Sequence, residues 1–440
     1  MRTNPAIADL TGEVKQVPIR NGYGEGLLIA GEKNKNVVVL CADLSESTRS
    51  LGFQLKYPER FVEVGVAEQN MASLASGFAM AGKVPFISSY AMFSPGRNWE
   101  QIRTTICYNN TNVKVAGAHA GVSVGPDGAT HQAIEDVNIM RAIPNMTIIV
   151  PTDAIEARKA TVAAAEFIGP VYLRFAREKT PIVTTDATPF QIGKAEVFVE
   201  GDDVLIVAMG TMVYEALMAA KELEKEGVSA AVINCHTVKP LDTKTILDWA
   251  RRCGCIVTAE EHQITGGLGS AVAEIVSQEH PVPVQRIGVQ NRFGQSGPPE
   301  ELLKLYGLKA SNIAQAARDS IRLKFAHAAQ LTHKVTVSPR GPTAKSAAQR
   351  VLGAVPQDVT FKVRNGMVIR SIPELHKAVL AMDQATFQYH VNDQRNDFAQ
   401  WIEDVQQDHE LAHVLKNART KAAVVRLLGT RIGQLHQVKR

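Results

Sequence analysis

The chain has 440 residues, of which 45% are hydrophobic and 21% are charged, and its formal net charge is +4. These are ordinary values for a soluble protein, and they exclude the fibrous and disordered classes. Because domains usually contain roughly 100–200 residues, the length predicts two or three of them. The five cysteines are odd in number and include no C-x-x-C pair, which argues against a disulfide framework and a zinc ribbon.

Hydropathy along the chain gives no sign of a membrane or a secretory route. The first 20 residues contain no apolar stretch that could serve as a signal or an anchor. The longest apolar runs, such as Val204–Met209, are far shorter than the roughly 20 residues that span a bilayer. We therefore expect a cytoplasmic protein without a membrane partner.

The first 176 residues alternate short β-branched or aromatic runs with helical patterns. Strands are predicted at 36–41, 61–65, 84–89, 112–118, 147–150 and 170–175. Helices are predicted at Ala67–Ala81, Arg97–Cys107, His131–Ala142 and Asp153–Phe167. This alternation indicates parallel βαβ units with helices on both faces of an open sheet, so residues 1–176 are predicted to form a doubly wound α/β domain.

A turn-rich segment with two prolines follows at 177–190 and predicts a linker. A second alternation then begins, with strands predicted at Asp203–Ala208, Ser229–Asn234, Cys255–Ala259 and Pro283–Ile287. Its helices are predicted at Tyr214–Glu226, Thr243–Arg252, Leu268–Gln278 and Pro299–Tyr306. Residues 191–324 are therefore predicted to form a second doubly wound α/β domain.

The remainder of the chain differs in composition and charge. Residues 325–358 are rich in Ala, Thr, Pro and Lys without a clear period, which predicts a flexible tether. Beyond it, Asn365 and Gly366 stand between two alternating runs, as is typical of a type I′ hairpin. Helices are predicted at Ile372–Met382, at Arg395–Val405 behind a cap at Asp393, and at Ala418–Leu428.

Residues 359–440 are accordingly predicted to be a small α+β, mostly helical accessory domain, to which the sequence assigns no function. Residues 321–440 contain 18 Lys and Arg against 9 Asp and Glu, a net +9, whereas the first 320 residues have a net −5. This positive charge is spread out without interleaved aromatic residues, so a nucleic-acid partner is not expected.

The first candidate for chemistry is Glu68, in the segment FVEVGVAEQNM. It follows a predicted strand and begins the next helix, and ligands bind at that end of the strands in open parallel sheets. Beside Val66 and Met71 the setting is partly apolar, which disfavours an ionised carboxyl and leaves it able to donate a proton. Taken alone, an acid favoured by the helix macrodipole is the commoner arrangement.

Two further segments supply aromatic and polar candidates. SSYAMFSPG places Tyr90 and Phe93 after the next strand, at a spacing that lets both line one pocket. The glycine-rich loop AGAHAGVSVGPDGATHQAIED contains His119, Asp127 and His131, whose side chains suit hydrogen bonding to ligand hydroxyls and proton transfer. Each alone would be unremarkable as a core pair or a solvated loop, so the prediction depends on their combination.

In this order, VEVGVAEQN, SSYAMF and GVSVGPDGATHQAIE resemble the pyrimidine-binding domain of transketolases. The resemblance continues through CADLSES, IPNMTIIVPTDAIEA and FAREKTP, and through GGLGSAV in the transketolase C-terminal domain, covering roughly residues 10–320. It implies the activity of a thiamine-diphosphate-dependent enzyme of the pentose phosphate pathway. Such an enzyme transfers a two-carbon ketol unit between a ketose phosphate and an aldose phosphate.

The resemblance also implies residue roles. Glu68 matches the acid that activates the cofactor by hydrogen bonding to its aminopyrimidine ring, and Phe93 matches the ring that stacks on it. The other residues that match the cofactor site are Tyr90, Asp43 and Val66. Those that match the binding site for the substrate phosphate are Arg20, Ser47, His119 and Arg177, and arginines bind phosphate bidentately. Asp127 matches the residue that reads the hydroxyl beside the donor carbonyl, and His131 matches the catalytic residue that contacts the donor hydroxyl.

The motif that holds the cofactor's diphosphate in a complete transketolase, Gly-Asp-Gly with a downstream Asn, is not found in this sequence. A diphosphate needs a metal and backbone donors, so this chain alone should bind thiamine diphosphate poorly, and no metal site is expected within it. The resemblance implies that Mg²⁺ or Ca²⁺ is bound mainly by a separate N-terminal, diphosphate-binding subunit. The expected assembly contains two copies of each chain, an α2β2 heterotetramer.

Three other interpretations stay open. A 1-deoxyxylulose-5-phosphate synthase shares the G-x-A-E-Q string and the D-G-x-T-H loop. His119 and the run Gln132–Glu135 favour transketolase, whereas the string GVAEQN favours the synthase. The beta subunit of a 2-oxoacid dehydrogenase is disfavoured by the residues that match the sugar-phosphate site. A decayed half-enzyme acting as a scaffold or regulator is disfavoured by the intact Glu68, Phe93 and His131.

Overall fold

The computed structural model describes residues 2–334, 344–392 and 394–439. The chain divides into two compact units, Met1–Arg322 and Leu323–Arg440. Within the described residues, no helix is both long and apolar enough to cross a lipid bilayer.

The first sheet of the N-terminal unit has seven strands, in the order Thr237–Lys239, Thr147–Ile149, Val171–Arg174, Lys114–Ala118, Val84–Tyr90, Val37–Cys41 and Phe61–Glu63. All neighbours are parallel except for the first pair, where Thr237–Lys239 runs antiparallel to Thr147–Ile149. Its central strands are buried throughout, as expected of a parallel sheet with helices on both faces. The predicted α/β architecture is confirmed here.

The helical segments around this sheet are Ile19–Lys33, Ser45–Thr48, Leu51–Lys56, Glu68–Met80, Trp99–Gln101 continued by π-helical Ile102–Cys107, Asp136–Arg141 and Ala154–Glu166. Ile19–Lys33 packs against Ala154–Glu166 at very short range. A Cβ atom at Gly22 would lie 1.8 Å from the carbonyl oxygen of Ala154, so only glycine permits this approach. The packing fixes the N-terminal turn of the first helix, which contains Arg20.

The prediction of a helix over His131–Ala142 is wrong in its first half. The helix begins only at Asp136. Before it, the chain turns: Gly128 has a φ of +74°, and the amide of His131 donates to the carbonyl of Gly128 at 3.0 Å. His131 is therefore on a turn, since a left-handed glycine interrupts helical geometry.

The second sheet of the N-terminal unit has six strands, in the order Arg2–Thr3, Glu196–Glu200, Ala230–Asn234, Val204–Ala208, Ile256–Gln263 and Val284–Val289. The last four are parallel to one another, and the first two run antiparallel at the edge. The helices of this region are Met212–Lys225, Thr243–Cys253, Leu268–Glu279, Pro299–Leu305 and Ala310–Lys334. The second α/β fold is thus also as predicted, with an antiparallel edge that the sequence analysis did not anticipate.

The C-terminal unit is mostly helical, with Ala344–Leu352, Ile372–Ala381, Gln384–His390, Asp397–Trp401 continued by π-helical Ile402–Gln406, His409–Leu415 and Lys421–Lys439. The predicted hairpin is present as Phe361–Lys362 paired with Val368–Ile369. Its turn is not type I′, which requires a positive φ at both central residues. Only Gly366 has one, at +87°, and its amide closes a turn onto the carbonyl of Val363 at 2.8 Å.

The described parts of the predicted tether, 325–358, contain helix at both ends, because alanine and the long polar side chains there favour it; residues 335–343 lie outside the described residues. The predicted cap Asp393 also lies outside them. The cap seen at the next helix is Asn396, whose Oδ1 accepts from the amide of Ala399 at 3.1 Å.

Candidate active site

Glu68 is the first residue of helix Glu68–Met80, at the carboxyl edge of the first sheet. Its side chain is only 1% exposed, and its Oε2 accepts a hydrogen bond from Nη1 of Arg97 at 2.8 Å. The side-chain nitrogen Nδ2 of Asn98 donates to the backbone carbonyl of Glu68 at 3.0 Å and to Oγ of Ser94 at 3.1 Å. The carboxyl is therefore buried beside the segment that contains the predicted stacking ring.

Four aromatic side chains at this edge contact one another, and Arg97 joins one of them, Phe93, to the Glu68 carboxyl. The rings of Tyr90 and Phe93 are stacked with centroids 5.9 Å apart, and Tyr90 also stacks on His119 at 4.1 Å. His131 approaches Phe93 edge-on at 5.5 Å, with its Nδ1 in a 2.9 Å hydrogen bond to Oγ1 of Thr130. Residues from separate segments of the sequence thus come together at one edge of the sheet, as their positions after successive strands predicted.

A group of polar residues continues from His119. Arg20 donates from Nη1 to the Nε2 atom of His119 at 2.9 Å and to the backbone carbonyl of Ser47 at 3.0 Å. Arginine can only donate, so Nε2 of His119 accepts and the imidazole proton is on Nδ1. Burial, followed by the charges of Arg20 and Arg177, lowers the pKa of His119 to about 3. The imidazole is therefore neutral near pH 7.

Two buried nitrogen atoms in this group lack an internal partner. Among the residues that the structure describes, Nδ1 of His119 and Nε of Arg20 find no hydrogen-bond acceptor. Buried donors are rarely left unpaired, and such atoms in a cleft often contact a ligand. His119 also has a left-handed backbone with a φ of 56°, a strained conformation that tends to occur at functional sites. Both features indicate a site that donates hydrogen bonds to an electron-rich ligand.

Asp127 and Arg177 form a second pair at the same edge. Nη1 of Arg177 lies 3.2 Å from Oδ1 of Asp127 and donates to the carbonyl of Val124 at 2.9 Å. Both side chains are about one-third exposed, so they remain accessible to a ligand. Burial lowers the pKa of Arg20, and the positive charges of Arg49 and then Arg177 lower it further. An anion between Arg20 and Arg177 would be stabilised.

Asp43 and Val66 lie on the exposed rim of this region. Asp43 has a φ of 58°, and its amide donates to Oε1 of Glu63 at 2.8 Å, the same oxygen that accepts from the amide of Gly65. Val66 is 69% exposed. The Glu63 carboxylate thereby joins the two loops, and an apolar side chain as exposed as Val66 suits a surface that contacts another molecule.

Arg97 was not identified from the sequence, where it counted only as the start of a helix. Its guanidinium pairs with Glu68 and lies over the ring of Phe93, 4.9 Å from the centroid. The only available signal was a cation four residues after the predicted stacking ring. Because Glu68 and Arg97 are 29 residues apart, their contact depends on how two strand-to-loop junctions meet.

Comparison with known proteins bears on this site. The family model of the transketolase pyrimidine-binding domain matches residues 15–183, and that of the transketolase C-terminal domain matches residues 193–313. The first of these matches includes the polar and aromatic residues described above.

Two relatives and one solved structure each match about 70% of this chain. A putative transketolase C-terminal section from Methanocaldococcus jannaschii is 45% identical over 307 residues, which are 69% of this chain and 96% of the relative. A 6-deoxy-6-sulfo-D-fructose transketolase subunit from Clostridium sp. (strain MSTE9) is 40% identical over 301 residues, covering 68% of this chain and 94% of that protein. A solved structure described as a split gene transketolase, inactive beta4 tetramer, is 46% identical, with a TM-score of 0.66 and coverage of 70% of this chain and 99% of its own.

These relatives are similar over nearly their whole lengths, and each is named as one section, subunit or split-gene chain of a transketolase. Two α/β folds in the same order, with the candidate residues gathered at one edge of the first sheet, agree with that similarity. The chain belongs to the transketolase family and corresponds to the C-terminal section of a split enzyme.

Proposed function

We propose that this chain is the C-terminal subunit of a thiamine-diphosphate-dependent transketolase, active only together with a diphosphate-binding subunit. The observation that carries the proposal is the buried Glu68 carboxyl, which is joined through Arg97 to the ring of Phe93, itself stacked with Tyr90. A carboxyl and an aromatic face are the two groups needed to hold an aminopyrimidine by one hydrogen bond and one stacking contact.

The residues present fit the aminopyrimidine end of the cofactor and offer less for its diphosphate. In the described part of the chain, no group of three or more His, Cys, Asp or Glu side chains could hold a metal ion. The proposal therefore places Mg²⁺ or Ca²⁺ and the diphosphate mainly on the partner subunit. When bound, thiamine diphosphate supplies the nucleophilic carbon and the electron sink for cleaving a carbon–carbon bond next to a carbonyl.

The roles of this chain's own residues follow from their positions. Glu68 donates a hydrogen bond to the ring nitrogen of the aminopyrimidine, and Phe93 stacks on the ring with Tyr90 behind it. Asp43 and Val66 form the rim of the cofactor site. His131, on its turn beside Phe93, is placed to contact the donor hydroxyl and to move a proton there, while Asp127 accepts from the neighbouring hydroxyl.

The second part of the site supports an anionic sugar as substrate. Arg20 and Arg177 supply two cations, and the neutral His119 offers a buried Nδ1 donor. Ser47 is held next to Arg20 through its backbone carbonyl. A phosphate at the far end of a ketose or aldose would accept from these donors, since arginines bind such groups bidentately. Sugar phosphates are accordingly the proposed substrates.

The proposed assembly contains two copies of each chain. The 46% identical neighbour, described as an inactive tetramer of beta chains, supports two parts of the proposal: such chains self-associate, and they lack activity without a partner. Exposed apolar side chains on and before helix Glu68–Met80, including Val66, Leu74 and Met80, offer a surface for association near the candidate site.

The test is reconstitution. The purified chain and its diphosphate-binding partner are assayed separately and mixed, with thiamine diphosphate, Mg²⁺, xylulose 5-phosphate and ribose 5-phosphate. We expect two-carbon transfer only from the mixture, and a loss of at least about 100-fold for Glu68→Gln, because the amide cannot supply the carboxyl proton.

The matched control is Glu59→Gln, an exposed acid on the approach to the strand that precedes Glu68, which should retain full activity. Turnover of ketoses by the isolated chain, or full activity of Glu68→Gln in the mixture, would show that the proposed function is wrong.

A further inference from the structure

One guanidinium contacts both groups that are proposed to hold the aminopyrimidine. Nη1 of Arg97 donates to Oε2 of Glu68 at 2.8 Å, and the centre of the same guanidinium lies over the ring of Phe93, 4.9 Å from its centroid. A planar ring that stacks on Phe93 and bonds to Glu68 needs the space that this guanidinium fills. Arg97 and the aminopyrimidine therefore compete for the same two partners.

The backbone around Arg97 is held by hydrogen bonds, whereas the Arg97 side chain is partly exposed to solvent and can change its conformation. Asn98 is completely buried, and its side-chain nitrogen Nδ2 donates to the backbone carbonyl of Glu68 and to Oγ of Ser94. These two bonds tie the segment that contains Phe93 to the start of helix Glu68–Met80. The Arg97 side chain itself is 48% exposed, while that of Glu68 is 1% exposed. The arginine can turn outward into water without disturbing the backbone that positions the acid.

We propose that Arg97 is a positioning residue that holds Glu68 and covers Phe93 until thiamine diphosphate displaces it, so that displacement of Arg97 sets part of the cofactor's affinity. This inference rests on the proposed function. Its chemical basis is that a buried carboxyl needs a hydrogen-bond partner in each state. Arg97 donates to the carboxyl before the cofactor binds, and in the complex the carboxyl takes up a proton from water and donates it to the ring nitrogen of the aminopyrimidine. Arg97, the solvent-accessible member of the ion pair, is the residue that moves away when the cofactor binds.

The opposite arrangement has the opposite consequence. If Arg97 stayed in place and the cofactor used only the other carboxyl oxygen, Arg97 would help to orient Glu68 for binding. Removal of Arg97 would then weaken binding. The direction of the change in affinity separates the two arrangements.

The experiment measures thiamine diphosphate affinity of the two-chain complex in the presence of Mg²⁺, from quenching of tryptophan fluorescence. Trp99 lies two residues beyond Arg97 and provides a local reporter. We expect Arg97→Met to lower the dissociation constant by about tenfold, the effect of losing one competing hydrogen bond to a charged group. Arg103→Met, at an exposed arginine of the adjoining π-helical segment, is the matched control and should leave the constant unchanged.

A double-mutant cycle tests whether the effect acts through Glu68. In a Glu68→Gln background, the additional change Arg97→Met should alter the dissociation constant by about threefold or less, since the amide cannot form an ion pair. If Arg97→Met fails to fold, Arg97→Lys serves instead. Its ammonium does not spread over the ring as a guanidinium does, so binding should again be tighter than in the unaltered complex.

The outcomes are distinguishable. Unchanged or weaker binding by Arg97→Met, with normal binding by the unaltered complex, overturns the role of Arg97 and leaves the proposed function standing. An equal effect of Arg97→Met in both backgrounds overturns competition at Glu68. Absence of binding by the unaltered two-chain complex overturns both proposals.

Discussion

The buried ion pair of Asp136 and Arg174 connects the loop that contains His131 to both sheets. Oδ2 of Asp136 accepts from Nε of Arg174 at 2.8 Å and from the hydroxyl of Tyr172 at 2.6 Å. Nη2 of Arg174 donates to the carbonyl of Glu261 in the second sheet at 2.8 Å. Both charged side chains are at least nine-tenths buried, so replacing Asp136 by asparagine leaves the guanidinium without its anion.

The cost can be worked from this geometry. Arginine cannot lose its charge, and removing one partner of a buried pair typically costs about 3–5 kcal/mol. In a unit of roughly this size, 1 kcal/mol shifts the melting temperature by about 2 °C. Asp136→Asn should therefore lower the melting temperature of the N-terminal unit by about 6–10 °C.

Thermal denaturation followed by circular dichroism or calorimetry measures this shift. The matched control is Asp248→Asn, which removes the partner of Lys244 in an exposed pair 2.7 Å apart. Exposed pairs within a helix contribute about 0.3–0.5 kcal/mol, so the control should shift the melting temperature by no more than about 1 °C. Equal shifts in the two variants would refute the view that this pair stabilises the unit.

The remaining predictions concern packing and pH. Gly22→Ala should strongly destabilise the chain, because the new Cβ would meet the carbonyl of Ala154, whereas Gly77→Ala, with open space at its helix position, should be neutral or stabilising; urea denaturation compares the two. Burial, and next the charge of Asp153, raises the pKa of Glu156 from 4.5 to about 8. Because the pKa of Glu156 is higher in the folded than in the unfolded state, its contribution to the free energy of unfolding is complete only below about pH 4.5. This contribution is lost as the pH rises through about 8. Glu156→Gln should flatten the dependence of the melting temperature on pH between about pH 5 and 8, and an unaltered pH profile would contradict the assignment.

The layered architecture was readable from the sequence because parallel strands that are buried on both faces appear as continuous apolar runs. Val37–Cys41 and Val204–Ala208 are examples, and each is completely buried. The strand Glu196–Glu200, second from the edge of its sheet, has no regular alternation of buried and exposed residues, and Thr237–Lys239 has only three residues. Both segments form strands because they pair with strands that are distant in the sequence. Such pairing is not visible in the local sequence pattern.

The sequence was sufficient to predict which residues gather at the candidate site, but not which of their side chains contact one another. Glu68, Phe93 and His119 follow successive strands of the first sheet, so their meeting at one edge follows from topology alone. The pairing of Arg97 with Glu68 depends on side-chain direction across two loops. The turn at His131 depends on the backbone of Gly128, whose left-handed conformation cannot be told from a glycine in a helix until the fold is known.

The strand Thr237–Lys239 has a consequence for dissecting this protein. It comes from the second half of the N-terminal unit yet closes the first sheet beside Thr147–Ile149, where Lys239 also donates to the carbonyls of Arg141 and Ile143. A fragment ending near residue 190 would leave Thr147–Ile149 as a bare sheet edge, the kind of surface that recruits other chains and precipitates. After proteolytic cleavage near residue 190, the two fragments should therefore remain associated through this strand pairing.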